Sequence, residues 1–182
     1  MSILVAYASK HGATAGIAAA IAERLRSAGL EAEAHPVTDI RDPAGYDGYV
    51  IGGATYMFHW MKEATAFVRQ HRALLATRPV WLFSSGPLGT ETTDTPGQGP
   101  RVVPEPREIA ELGADIGARD HRVFWGAFDR GQKAVGLAER VTLLMPVSRA
   151  AMPEGDFRNW AEIEAWADGI TGELAPAPAT RR

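Results

Sequence analysis

The sequence predicts an α/β fold of three layers, a five-stranded parallel sheet with helices on both faces, in one domain spanning residues 1–174. Three observations predict it. Short apolar runs alternate along the chain with stretches of helical periodicity. The first run, 3–8, is apolar on both faces, as a central parallel strand must be. Glycine, proline and small polar clusters punctuate the joints between runs.

The elements follow in order. Residues 3–8 form the first strand. Ile17, Ala20, Ile21 and Leu25 then recur at helical spacing, with Glu23, Arg24 and Arg26 on the wet side, and Ser27, Ala28 and Gly29 close that helix. Residues 31–35 alternate polar and apolar, so the second strand lies at an edge. A third strand covers 49–53. A helix over 62–74 turns Ala66, Phe67 and Leu74 inward. The fourth strand is 80–84, the polar Gly/Pro-rich stretch 90–104 is a loop, and 105–117 is a helix. The fifth strand covers 121–128. The closing helix, 158–171, carries Trp160, Ile163, Trp166 and Ile170 on one face. Residues 129–152 are an insert before that helix, and the Pro/Ala-rich tail 175–182 is expected to be disordered.

Composition excludes several classes. The formal charge is -3, far from the basic footprint of a nucleic-acid binder. Cysteine is absent, which removes disulfides, thiolate nucleophiles and Cys-ligated metals. No apolar run reaches the roughly 18 residues that span a bilayer, and no secretory leader is read at the N-terminus, so a cytoplasmic location is expected. The histidines at 11, 35, 59, 71 and 121 lack metal spacing, and no catalytic triad or paired carboxylates appear. No catalytic residue is therefore expected apart from a cofactor, and no metal.

In such folds ligands sit beyond the strand C-termini, where strand order reverses. Three loops lie there. The first, Ser9-Lys10-His11-Gly12-Ala13-Thr14, offers hydroxyls, a flexible glycine and free amides at a helix N-terminus, which together suit one phosphate. An ordinary capped turn would use the same residues. Neither G-x-x-x-x-G-K-[ST] nor G-x-G-x-x-G is present, so a mononucleotide fits better than a triphosphate or dinucleotide. The acidic cluster of a signalling receiver domain is missing too. The second loop, Ala54-Thr55-Tyr56-Met57-Phe58-His59-Trp60, follows Gly52-Gly53, small residues that would let a ligand approach the backbone. Its four rings suit stacking against a flat apolar ring, although Tyr56 and Trp60 would equally staple the next helix to the sheet. The third loop, Ser84-Ser85-Gly86-Pro87-Leu88-Gly89, supplies backbone amides for the polar edge of a heterocycle. It is no nucleophile elbow, and no base is placed by sequence beside either serine. Together the three loops read as a site for flavin mononucleotide, FMN.

The runs ILVAYASKHGAT, DGYVIGGATYMFHWMKEA and VWLFSSGPLG resemble the flavodoxin family, and within it the branch of menaquinone-dependent protoporphyrinogen oxidases and their flavodoxin-domain relatives. PEGDFRNWAEIEAWA is similar to that branch's closing segment. The resemblance implies the strand order 2-1-3-4-5. It implies that 9–14 hold the FMN phosphate, that 55–60 lie on one ring face, and that 84–89 meet the ring edge. His11 stands where relatives often have Thr, Phe58 where they often have Gly, and Trp125 where they have a smaller residue. These departures leave the cofactor's identity open, with a deazaflavin coenzyme or a lost cofactor as the alternatives.

The expected function is a flavin-dependent oxidoreductase acting on a small molecule such as a porphyrinogen or quinone. The alternatives are a flavodoxin-like electron carrier, or a protein that sequesters its coenzyme without turnover. Carriers are usually markedly acidic, which -3 is not. The insert 129–152 mixes leucine, valine and methionine with arginine and lysine. It is expected either to cover the flavin, to bind an anionic porphyrin, to touch a membrane surface peripherally, or simply to pack over the sheet edge.

Overall fold

The computed structural model describes residues 1–86, 105–129 and 154–175. The expected insert after Asp129, the whole 90–104 loop, the tail 176–182 and Pro87, Leu88 and Gly89 lie outside the described residues.

The main sheet contains β1 (Ser2–Ala8), β2 (Glu31–Pro36), β3 (Gly48–Tyr56), β5 (Val80–Ser85) and β6 (Asp120–Phe124). These five are parallel and run in the order β2-β1-β3-β5-β6, which is the expected 2-1-3-4-5 counted along the parallel strands. A sixth strand, β4 (His59–Trp60), folds back antiparallel on the end of β3. β2 lies at an edge, as its alternation requires.

Alternate residues of the central strands feed two separate cores, because side chains along a strand point to opposite faces. Ile3, Val5, Val50, Trp81 and Phe83 pack with Ile17, Ile21 and Leu25 of α1 (Ala13–Ser27) and with Ile163, Trp166 and Ile170 of the closing helix. Leu4, Ala6, Tyr49, Ile51, Val80 and Leu82 pack on the other face against α2 (Lys62–Gln70), α3 (Arg72–Leu75) and α4 (Ile109–Ile116). The ladder is thus dry on both sides, which explains why these strands read as continuous apolar runs.

Several boundaries differ from expectation. The helix expected over 62–74 breaks at His71, whose amide still bonds back to Phe67 while Leu74 and Leu75 turn onto the His71 carbonyl. Ala66 points outward; the inward residues are Ala64, Thr65, Phe67 and Val68. α4 starts at Ile109 rather than at 105, because Pro106 pushes Glu105 out of the helical region. The fifth strand stops at Phe124. Its partner β5 ends at Ser85, so nothing remains to pair with. Instead β7 (Ala127–Phe128) pairs antiparallel with β8 (Gly155–Asp156) as a separate ribbon. The closing helix α5 is Trp160–Leu174, capped by the Asn159 side chain, which accepts from the Glu162 amide. Trp160 does not share the buried face: it is 40 % exposed, with the Arg158 guanidinium 4.4 Å over its ring.

Candidate functional site

The first loop joins β1 to α1. Gly12 precedes the helix with φ +81, a left-handed conformation, and its amide donates to Ser9 Oγ at 3.1 Å. Ser9 Oγ thus stabilises the loop and keeps its own proton to donate. No side chain caps α1, and no acidic residue stands in its first turn. The first amides of the helix therefore keep their positive polarity, which suits an anion. Thr14 is buried, so the donors open at the surface are the loop amides and Ser9, with Ala13 at the start of the helix. Arg158, which sequence reasoning missed, reaches this turn: its Nη1 donates to the Ala13 carbonyl at 3.3 Å. Its other nitrogens grip Asp156 at 2.6 and 2.7 Å, and those hydrogen bonds hold the Asp156 carboxyl below its usual range. His11, Gly12 and Ala13 form one wall of an open cleft whose other wall is the β7–β8 ribbon with Arg158.

The second loop is a hairpin. Thr55 pairs with Trp60 and Tyr56 with His59, leaving Met57 and Phe58 as a two-residue turn with φ of 52 and 65. Positive φ at both central positions marks the type I′ turn, which matches strand twist but strains residues other than glycine. The tip stands in solvent: Met57 is 86 % exposed and Phe58 53 %. Phe58 therefore does not plug the site with its own ring. Lys10 Nζ lies 4.6 Å over the Tyr56 ring, tying the first loop to the second.

The hairpin is anchored from below. Trp60 is buried, and its Nε1–H donates to Ser84 Oγ at 2.8 Å. Ser84 Oγ lies 2.8 Å from His121 Nε2, and His121 Nδ1 lies 3.2 Å from Glu105. With the imidazole neutral, Nδ1–H donates to Glu105 and Nε2 accepts from the Ser84 hydroxyl. Burial keeps it neutral, pushing the His121 pKa down despite the opposing pull of Glu105 and Asp120. This serine–histidine–glutamate chain was not legible in the sequence. Ser84 is fully buried, so the chain tethers Trp60 and presents no nucleophile. A second tether comes from Glu108, which meets His59 Nδ1 and accepts from the Trp60 amide at 3.3 Å. Burial alone would raise the Glu108 pKa; the hydrogen bonds from His59 and from the Glu108 and Trp60 amides outweigh it and leave it lowered.

Two expectations about this site are corrected, and one stated alternative is taken. Trp60 is buried, in the stapling role that the sequence equally allowed. Ser84 points into the core rather than toward a heterocycle. Gly52 and Gly53 make room for protein, not ligand: a Cβ at Gly52 would lie 2.0 Å from the Phe83 ring, and one at Gly53 2.9 Å from the Trp60 indole. Ala54 is buried beside them.

The third loop is described as far as Gly86. Ser85 is buried, and the Gly86 amide bonds to the Phe124 carbonyl at 3.4 Å. A Cβ at Gly86 would come within 2.9 Å of Thr55 Cβ, so only glycine lets the second and third loops touch here. The Thr55 hydroxyl beside it is buried and has no hydrogen-bond partner among the described residues. A buried unsatisfied hydroxyl costs about 1–3 kcal/mol and calls for a ligand or water to complete it. The loops after β1, β3 and β5 thus stand side by side at one end of the sheet. They combine anion-binding amides, exposed apolar side chains and an unsatisfied hydroxyl, which fits a phosphate-bearing aromatic cofactor.

Fold and site define a parallel α/β protein with a ligand-binding switch point. The chain belongs to the flavodoxin domain family, whose model matches residues 4–150. Flavodoxins bind FMN. Similar folds are found in a flavodoxin from the domain Archaea, 15 % identical with a TM-score of 0.58, covering 96 % of this chain and 99 % of that one. A cysteine-to-serine mutant of flavodoxin from Pseudomonas aeruginosa is 16 % identical with a TM-score of 0.57, at 96 % and 99 % coverage. Rubredoxin oxygen:oxidoreductase from Desulfovibrio gigas is 12 % identical with a TM-score of 0.57; the match covers 95 % of this chain and 36 % of that one. No curated protein matches the sequence. No helix among the described residues is long and apolar enough to cross a membrane.

Proposed function

We propose that this protein binds FMN and is an oxidoreductase for a small molecule of the quinone or porphyrinogen class. The observation that carries the cofactor is the meeting of an uncapped helix N-terminus with an exposed aromatic hairpin and the unpartnered Thr55 hydroxyl. In this reading Ser9 Oγ and the amides of His11 and Ala13 hold the phosphate, Tyr56, Met57 and Phe58 border the ring, and Thr55 and Gly86 meet its edge. Bound flavin supplies the electron and hydride chemistry. The chain's own residues bind and orient it, and the two tethers under Trp60 fix the hairpin that does so.

Small-molecule chemistry is favoured over protein electron transfer by the near-neutral charge of -3, since acidic surfaces usually steer carriers to their partners. The likeness of ILVAYASKHGAT and PEGDFRNWAEIEAWA to protoporphyrinogen oxidases supports the substrate class. Cofactor capture is tested by the visible spectrum of purified protein and by fluorescence titration with FMN. Stoichiometric binding is expected; a colourless protein that also leaves FMN fluorescence unquenched removes the reading. Substrate class is tested anaerobically, by mixing flavin-loaded protein with a menaquinol or with protoporphyrinogen. Bleaching of the flavin at a catalytically useful rate supports the oxidoreductase. Reduction only through a redox protein assigns a carrier instead.

A further inference from the structure

We propose that Lys10, held on the face of Tyr56, stabilises bound reduced flavin more than bound oxidised flavin; the proposal rests on the FMN reading above. β1 and β3 are neighbours with Ala8 opposite Gly53, so the chain leaves both strands side by side. Lys10 is two residues beyond the end of β1 and Tyr56 closes β3. Lys10 is exposed, and its ammonium sits 4.6 Å over the Tyr56 ring. Tyr56 immediately precedes the strained turn, so the charge is fixed at the hairpin, the ring end of the site.

Lys10 differs from Arg158, whose guanidinium is gripped by Asp156. Lys10 has no carboxylate partner among the described residues, so its charge is not neutralised locally. An aromatic face holds a cation without cancelling it. Taking up two electrons and one proton leaves the flavin ring with one negative charge, while the phosphate charge is unchanged. A fixed cation beside the ring therefore stabilises the reduced form selectively, whereas a cation on the phosphate would stabilise both forms equally.

The test measures dissociation constants for oxidised FMN and for FMN reduced with dithionite, at low and high salt. Wild type is compared with Lys10→Met, Lys10→Arg, Tyr56→Phe and Tyr56→Leu. Lys10 is exposed and Tyr56 partly so, and thermal melts establish that each variant is folded. Lys10→Met is expected to weaken reduced FMN about three- to tenfold more than oxidised FMN, an effect that shrinks at high salt. Lys10→Arg and Tyr56→Phe retain the wild-type ratio, since both keep a cation on a ring. Tyr56→Leu shows a smaller loss in the same direction. Equal weakening of both forms by Lys10→Met places Lys10 on the phosphate and overturns the proposal, as does an unchanged ratio. A normal ratio in Tyr56→Leu overturns the role of the ring. Wild-type protein that binds neither form overturns the FMN reading itself, an outcome distinct from the others.

Discussion

At the scale of single residues, the glycines of this chain divide into two kinds. Gly12 has open space around its missing Cβ, but its φ of +81 strains any other residue. Gly12→Val is therefore expected to act through the backbone, costing about 1–2 kcal/mol and weakening FMN binding as the loop amides rotate away. A thermal melt read beside an FMN titration checks both effects. Gly52 is the opposite case: its backbone is ordinary strand, but the Phe83 ring occupies the place of a side chain. Gly52→Ala should lower stability by about 2–3 kcal/mol through overpacking, seen as a lower urea midpoint with an unchanged m-value. The sequence showed both as small residues near a site. It held nothing to separate a glycine required by φ from one required by a ring opposite it on the neighbouring strand β5. For the same reason Gly52 and Gly53 read as a ligand approach when they are packing positions.

At the scale of elements, what was legible followed from periodicity. The apolar runs 3–8 and 80–84 and the alternating run at β2 placed those strands because their patterns report which faces are dry. What was not legible depended on partners distant in sequence. The fifth strand ends at Phe124 because its neighbour ends, not because its own residues change character. β4 escaped notice because Met57-Phe58 lacks the Asn-Gly or Asp-Gly signature of a two-residue turn. The tether from Trp60 to Glu105 spans four segments, so no local motif announces it. α5 shows a local signal that does hold. Its Asn159 cap is the one side chain that closes a helix start in this way among the described residues. Asn159→Ala should cost about 1 kcal/mol, lowering the melting temperature by a few degrees while leaving FMN affinity unchanged. Altered affinity would mean that α5 helps to shape the cleft beside Arg158.

At the scale of the whole molecule, stability should respond to acid through His121. Burial lowers its pKa below that of the unfolded chain, despite the opposing Glu105 contact. As pH falls below about 6.5, the unfolded chain takes up a proton that the folded chain does not yet accept. The stabilisation is complete above that pH and is lost as pH drops toward the folded value. Melting temperatures across pH 8 to 5 should fall in wild type and fall less steeply in His121→Gln. Parallel curves would show that other groups dominate the acid response.

The β7–β8 ribbon carries a consequence of its own. It clasps Ala127 to Asp156 and Phe128 to Gly155, so two points well apart in the sequence are pinned side by side. Once two points of a chain already meet, changing the length of the loop between them costs little entropy. A short Gly/Ser linker in place of 130–153 is therefore expected to keep a cooperative melting transition, which a thermal melt of the exchanged chain checks.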